Sequence, residues 1–316
     1  MTYDAIVVGG GPAGLTAATW LARYRRRVLL VDAGEQRNRW VDRTHGYFTR
    51  DPASPAALLA AGAEQLAAYP YVTRLAGAVT AARAADDGFV VTVADAEHAA
   101  LRLVLATGVE DAFPDVEGFF DHYGADVFHC PSCDGYEARG RNVVVLGWNA
   151  YVAAFAVTLL DWAASVVVVT DGRTFPGDAG DRATLASFGI RVVEDVCESF
   201  LGVRGGLRGV RLRGLGEVPC EMAFFTVAHR PRGGIATMLG AVLTDEGLVV
   251  VDGNGETTVP GVYAAGDVTP GIQLVQVAAA AGAVAGISAA QSLRGTPGAP
   301  TSPAPAPDPE VVAPDG

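Results

Sequence analysis

Ala5-Ile6-Val7-Val8-Gly9-Gly10-Gly11-Pro12-Ala13-Gly14 is an apolar run that breaks into glycine and then into a helical stretch reaching Arg27. A second apolar run, Val28-Leu29-Leu30-Val31, follows and stops at Asp32. Unalternating apolar runs of this length are the mark of parallel strands buried on both faces, so the order strand, helix, strand predicts a βαβ unit. Gly9-x-Gly11-x-x-Gly14 stands between the first strand and the helix, and Asp32 closes the second strand eighteen residues beyond Gly14. In that context the glycines form a dinucleotide fingerprint. Gly9 allows the tight turn, Gly11 lets backbone approach a pyrophosphate, Gly14 permits close helix packing, and Asp32 can accept from a ribose hydroxyl. The helix N-terminus adds a favourable field for the phosphates.

Around this unit the chain has 316 residues, more than one hydrophobic core usually supports, so two domains are expected. Half the residues are hydrophobic and 18% are charged, which leaves ample side chain for packed cores. A net charge of −12 argues against nucleic acid and against an anionic membrane surface, since both need concentrated basic residues. All 23 basic residues are arginine, which excludes Schiff-base chemistry and a lysine base. Met1-Thr2-Tyr3-Asp4 leads straight into an apolar strand with no basic n-region, so no targeting segment and a cytoplasmic location are expected. Val268 to Leu293 is long and uncharged, but its Ala and Gly content and its Gln273 and Gln276 fit a buried helix packed on a cofactor better than a membrane span.

Further strands are expected at Phe89 to Val93 and at Leu103-Val104-Leu105-Ala106, the latter closing on Thr107-Gly108. A second βαβ unit opens at Asn142-Val143-Val144-Val145-Leu146-Gly147, passes through an apolar helix to Trp162, and returns as Val166-Val167-Val168-Val169 before Asp171. Strand is expected again at 249–251 and 261–268. From Gly295 onward the composition shifts to Pro, Ala, Asp and Gly, which predicts a disordered tail.

Four cysteines are too few for a disulfide-stapled scaffold, and only Cys130 and Cys133 are closely spaced. A C-x-x-C pair beside βαβ units reads as a thiol redox site, with a helix N-terminus to stabilise a thiolate and the carboxyl of Asp134 to manage its proton. A zinc half-site or two inert cysteines are the competing readings, although Cys197 and Cys220 are not spaced as the second pair that zinc would need. No metal site is expected, and Cys197 and Cys220 read as structural. His129 could stabilise a Cys130 thiolate or simply be a hydrogen-bonded histidine.

Gly9-Gly10-Gly11-Pro12-Ala13-Gly14, Ala106-Thr107-Gly108, Cys130-Pro131-Ser132-Cys133-Asp134-Gly135 and Ala265-Gly266-Asp267-Val268 stand in the order and spacing of low-molecular-weight thioredoxin reductases, which the chain resembles over roughly residues 3 to 293. The resemblance implies an α/β fold of two Rossmann-like, three-layer nucleotide-binding domains, the second inserted into the first. Residues 1–112 and 244–294 would form the FAD domain, 113–243 the inserted NAD(P)H-like domain carrying the cysteines, and 295–316 the tail. It further implies FAD contacts from Gly9, Gly11, Pro12, Ala13, Gly14, Asp32, Ala33, Val79, Ala106, Thr107, Gly108, Gly266, Asp267, Gln276 and Val277. Cys130 would be the interchange thiol, Cys133 the flavin-proximal one and Asp134 the proton donor and acceptor. A thioredoxin-like protein or small dithiol/disulfide as substrate, and a homodimer, are implied as well.

The second unit departs from the family. Gly147-Trp148-Asn149-Ala150-Tyr151-Val152 lacks the glycines of a second fingerprint, and Thr170-Asp171-Gly172-Arg173 replaces a basic cluster with an acid that would repel a 2′-phosphate. NADPH is therefore not expected to bind in the usual mode. NADH, a protein donor such as ferredoxin, or oxygen could exchange electrons with the flavin instead; a non-enzymatic redox sensor with a dead second domain is a further reading. Asp32-Ala33-Gly34-Glu35-Gln36-Arg37-Asn38 and His45-Gly46-Tyr47-Phe48 are similar to flavin dithiol oxidases of natural-product pathways, which would put His45 against the flavin or leave it in a surface loop.

Overall fold

The computed structural model describes residues 2–294, so the tail expected from residue 295 lies outside the described residues. The strand Thr2–Val8 lies inside a seven-stranded sheet, paired in parallel with Val28–Asp32 on one side and with Ala96–Leu105 on the other. Val262–Ala264 pairs in parallel with the far end of Ala96–Leu105, which carries the Gly-Asp step at 266–267 back beside the first glycine loop. Alternate side chains serve two cores, Ile6, Val8, Leu29 and Val31 on one face and Ala5, Val7, Val28 and Leu30 on the other. That two-sided burial is why the strands read as continuous apolar runs.

The helix Pro12–Arg23 covers the second of these faces together with the long helix Val275–Ser292. A Cβ on Gly14 would overlap the carbonyl oxygen of Gly9, one on Gly282 the carbonyl of Ala13, and one on Gly286 the carbonyl of Ala17. Val275–Ser292 is the one helix among the described residues long and apolar enough to cross a membrane. Its Ala and Gly content is accounted for by this backbone-to-backbone contact.

Several elements are shorter than expected. The first helix stops at Arg23 because Arg25, with φ at 60°, turns the chain while Arg26 N–H returns to the Leu21 carbonyl. The expected strand at 249–251 makes only isolated bridges, Leu243 to Val249 and Val251 to Thr257. The helix expected to reach Trp162 spans Val152–Thr158 and continues as a tight turn to Asp161. The long helix begins at Val275, since residues after Asp267 first form a turn closed by Thr269 N–H on the Gly266 carbonyl.

The second body has a five-stranded parallel sheet in the order Arg191–Val193, Ser165–Val169, Asn142–Gly147, Met222–Thr226, Val127–Phe128. One face is covered by Val152–Thr158 and Ala179–Ser187, the other by a three-stranded antiparallel sheet, Cys197–Val203, Gly206–Leu212 and Gly216–Pro219. The chain leaves the first body along Val109–Ala112 and returns along Ala228–Pro231, and these two crossings pair antiparallel. Ile235, Ala236 and Ala241 already pack in the core of the first sheet, so the return comes ahead of the boundary expected at 243.

Gly282→Val places a branched side chain against the Ala13 carbonyl. It should lower stability by about 1–3 kcal/mol, the usual cost of overpacking, measured as a shift of the urea unfolding midpoint.

Candidate functional site

One cavity of about 530 Å³ runs from the glycine loop to the cysteine pair. Gly9, Gly11, Pro12, Ala13, Asp32, Ala33 and Val79 line one end, Ala106, Thr107, Gly108, Gly266, Asp267 and Gln276 the middle, and His45, Cys130, Cys133 and Asp134 the other end. Two residues expected at a cofactor are not in the lining. Gly14 is needed for packing against Gly9, and Val277 is carried outward by its helix, 39% exposed.

The glycine loop has the form a dinucleotide needs. Gly9 is forced by φ at 107° and by the Ala106 carbonyl. At Gly11, by contrast, a Cβ would meet no protein atom within 4 Å. Packing does not demand glycine there, whereas backbone contact with a pyrophosphate would. Asp32 is held in place by Gly10 N–H at 3.1 Å, Gly34 N–H at 3.2 Å and the Gln36 amide at 2.9 Å. The pattern suits FAD, whose adenosine ribose would meet Asp32 and whose ribityl chain would meet Asp267.

Sequence reasoning missed the residue that organises the middle of the cavity. Arg37 grips Asp111 with two hydrogen bonds, Nε to Oδ2 at 2.8 Å and Nη2 to Oδ1 at 2.6 Å. Its Nη1 donates to Gln273 at 2.6 Å and to Asp267 at 3.3 Å. Burial alone would raise both carboxyls; Arg37 overrides it at Asp111, whose pKa lies below the usual range, while at Asp267 burial prevails and the pKa lies above it. The arginine falls in the quoted segment 32–38, but the two acids it serves lie 74 and 230 residues away.

At the far end Cys130 and Cys133 form a disulfide, and Cys133 N–H donates to Cys130 Sγ at 3.1 Å, capping the short helix Pro131–Asp134. The Asp134 carboxyl is pushed up to about 7 by burial and by the charge of Glu137. His129 lines the cavity next to Cys130, but burial and the nearby Arg37 charge push its pKa down to about 4. It is neutral at pH 7 and shares a 3.0 Å hydrogen bond between its Nδ1 and the Tyr123 hydroxyl. Of the two readings of His129, a partner for the Cys130 thiolate or a hydrogen-bonded histidine, this geometry favours the second. Cys197 and Cys220 are free and buried, their thiols pushed up to about 12, mainly by burial. Among the described residues no cluster of ligating side chains could hold a metal.

The second βαβ unit is closed by its own side chains. Asn149 occupies the fingerprint position, donating to Thr226 Oγ1 at 2.6 Å while its Oδ1 accepts from Tyr151 N–H at 3.0 Å. The Arg173 guanidinium stacks on Trp148, 3.8 Å from the ring centre, and pairs with Asp171 at 2.7 Å. The other Asp171 oxygen accepts from Cys197 N–H at 3.1 Å, so both are engaged within the protein.

These features correspond to a known class. The pattern of the pyridine nucleotide-disulphide oxidoreductases matches residues 3–282. The thioredoxin reductase sirT of Leptosphaeria maculans is 31% identical over 305 residues, 90% of this chain and 92% of that protein. The thioredoxin reductase tcpT of Claviceps purpurea is 30% identical, with 92% and 94% covered. An oxidoreductase from Agrobacterium tumefaciens of known crystal structure superposes with a TM-score of 0.83 at 33% identity, covering 93% of this chain and 99% of the other. The chain belongs to the pyridine nucleotide-disulphide oxidoreductases, among the thioredoxin reductase-like flavoproteins, and is an oxidoreductase enzyme.

Replacing Arg37 with Ala leaves Asp111 and Asp267 buried without their common cation. Arg37→Ala should cost about 3 kcal/mol of folding free energy in denaturant titration, with the loss shrinking as pH falls and the two carboxyls protonate.

Proposed function

We propose that the protein is an FAD-dependent thiol/disulfide oxidoreductase, a cytoplasmic homodimer that moves electrons between flavin and a dithiol or disulfide substrate through Cys130 and Cys133. The observation that carries this reading is the single cavity in which a dinucleotide cradle, the disulfide and a carboxyl poised near neutrality meet. Bound FAD would supply the two-electron couple. The chain's own residues perform the thiol exchange. In the reductive direction Cys130 attacks the substrate disulfide and Cys133 resolves the mixed disulfide; in the oxidative direction a substrate thiolate opens the Cys130–Cys133 bond. Asp134 gives or takes the thiol proton. The substrate is a thioredoxin-like protein or a small dithiol, and the uncharged outer stripe of the helix Val275–Ser292, with Val277 and Val284 exposed, supports pairing with a second copy.

The flavin's other electron partner is not a nicotinamide nucleotide bound in the usual mode. Asn149 and the Trp148–Arg173–Asp171 cluster support this, since a pyrophosphate or ribose would have to displace interactions already made. The same closure favours a second reading, in which the enzyme oxidises a small dithiol and passes the electrons to oxygen. Under anaerobic mixing, NADPH and NADH should leave the flavin absorbance unchanged, while a dithiol bleaches it and oxygen restores it. Fast bleaching by NADPH would overturn the closed-site argument; bleaching by reduced ferredoxin alone would name a protein donor. Cys133→Ser should keep FAD bound and abolish disulfide turnover.

The pKa of Asp134 sets a pH dependence. The carboxyl is protonated below about pH 7 and ionised above it. Oxidation of a dithiol needs it as a base, so that rate should rise through about pH 7; reduction of a disulfide needs it as an acid and should fall through the same range. Asp134→Asn should flatten both profiles and slow exchange by about 10²-fold, read in pH–rate profiles of the half-reactions.

A further inference from the structure

A buried carboxyl that exchanges a proton in each turnover needs a path to water, and beside Asp134 the fold sets a line of polar groups that reaches solvent. Glu137 lies one helical turn further on, and its charge acts on Asp134. Its Oε2 is buried with no hydrogen-bond partner, while its Oε1 is 3.8 Å from His45 Nε2. The other ring nitrogen of His45, Nδ1, lies 3.1 Å from Asp51 Oδ1. Asp51 Oδ2 in turn accepts from Gly46 N–H at 3.1 Å, so both carboxylate oxygens are spent on the segment that carries His45. This arrangement fixes the ring with Nδ1–H toward Asp51 and Nε2 toward Glu137. His45 lines the cavity shared by the cysteines, 21% exposed, and Asp51 opens to solvent at 53%.

The charged groups within ion-pair distance of His45, among the described residues, are Asp51 from its own loop and Glu137 from the turn after the cysteines. Arg43 lines the same cavity from the loop, and Arg37 from the segment before it. On the opposite side of the cysteines His129 is hydrogen-bonded to Tyr123 and carries no charge at pH 7. His129 therefore does not take up a proton at neutral pH.

We propose that His45 is the proton port of the thiol site, passing protons between solvent and Asp134 by way of Glu137, with Asp51 orienting its ring. The proposal rests on the reading of Asp134 as the thiol acid and base. In the exchange itself two substrate S–H bonds break and a substrate S–S bond forms, while the Cys130–Cys133 bond breaks and two S–H bonds form, so the enzyme disulfide is the oxidant. A substrate proton must leave before sulfur attacks, and the departing Cys133 thiolate must gain one. When the cysteines close again the thiol protons leave the sulfurs and go out through Glu137 and His45, save any that bound flavin would take with the electron pair it would accept. Asp134 thus works on every cycle, and His45 resets it.

The test follows the opening of the Cys130–Cys133 disulfide in the holoenzyme by dithiothreitol, quenched with an alkylating reagent and counted by mass spectrometry between pH 6 and 9. This readout needs no flavin turnover. His45→Ala should slow opening by about tenfold or more near pH 7, and added imidazole should restore it, since a free base can enter the gap. Glu137→Gln should slow opening without rescue. Retained flavin absorbance reports folding, and His45→Gln serves where the alanine variant does not fold, its rate regained with a small permeant buffer. A His45→Ala enzyme at wild-type rate, or one slowed but not rescued while Glu137→Gln behaves as wild type, would overturn the port. If Asp134→Asn itself shows wild-type rates and pH profile, the underlying reading of Asp134 fails instead, and the two failures are distinct.

Discussion

Backbone lies directly on backbone where the helix Val275–Ser292 crosses the helix Pro12–Arg23, and the meeting of the two ends of the chain at one cavity wall depends on that contact. Gly282 and Gly286 bring the second helix onto the carbonyls of Ala13 and Ala17, and Gly14 lets the first helix rest on the Gly9 carbonyl. Neither helix could come as close with a Cβ at those points. The approach brings Gly266, Asp267 and Gln276, from the end of the chain, to the same cavity wall as Gly11 and Ala13 from its beginning. A cavity wall assembled from segments some 250 residues apart in sequence is thus a consequence of missing side chains more than of attractive ones.

Charge is distributed along this cavity in a graded way. In the middle Arg37 compensates two carboxyls, and beside it Arg232 pairs with Glu35 while its N–H donates to the Gly108 carbonyl. At the thiol end Asp134 has burial and Glu137 acting on it, both in the direction of the protonated form. The same Arg37 that stabilises anions in the middle helps to keep His129 neutral. One wall of the thiol site is therefore fixed in charge and the other can titrate near pH 7, which is the difference between a structural histidine and an exchangeable acid.

The fingerprint, Asp32, the Ala106-Thr107-Gly108 turn, the cysteine pair and the Gly266-Asp267 step were legible because each is a local pattern whose geometry needs particular residue types at fixed spacing. What escaped depends on distance in sequence. Nothing separates Arg37 from Arg39 or Arg43 until the fold presents Asp111 and Asp267 to one of them. The three-stranded sheet at 197–219 alternates weakly, since its glycines leave few side chains to show a period. The return crossing at Ala228–Pro231 carries His229 and Arg230 and looks like a loop, because none of its four residues is buried to mark a strand. The early end of the first helix rests on a left-handed Arg25, a conformation that no glycine announced.

The second body keeps the parallel sheet of a nucleotide fold while side chains occupy the positions of its glycine loop. Its parallel sheet is intact, and the residues that close the ligand position hold the sheet edge together. Asn149 ties the loop to Thr226 on the neighbouring strand, and Asp171 ties the strand end at Val169 to the antiparallel sheet through Cys197 N–H. Trp148 gives Arg173 a flat apolar surface, so the cation nearest the loop is stacked and paired rather than free to meet a phosphate. Reopening the loop with glycine would then remove bonds that now stabilise the fold. The departure from the glycine fingerprint and the presence of these internal hydrogen bonds are one feature, which is why the fold is legible in the strands and not in the loop.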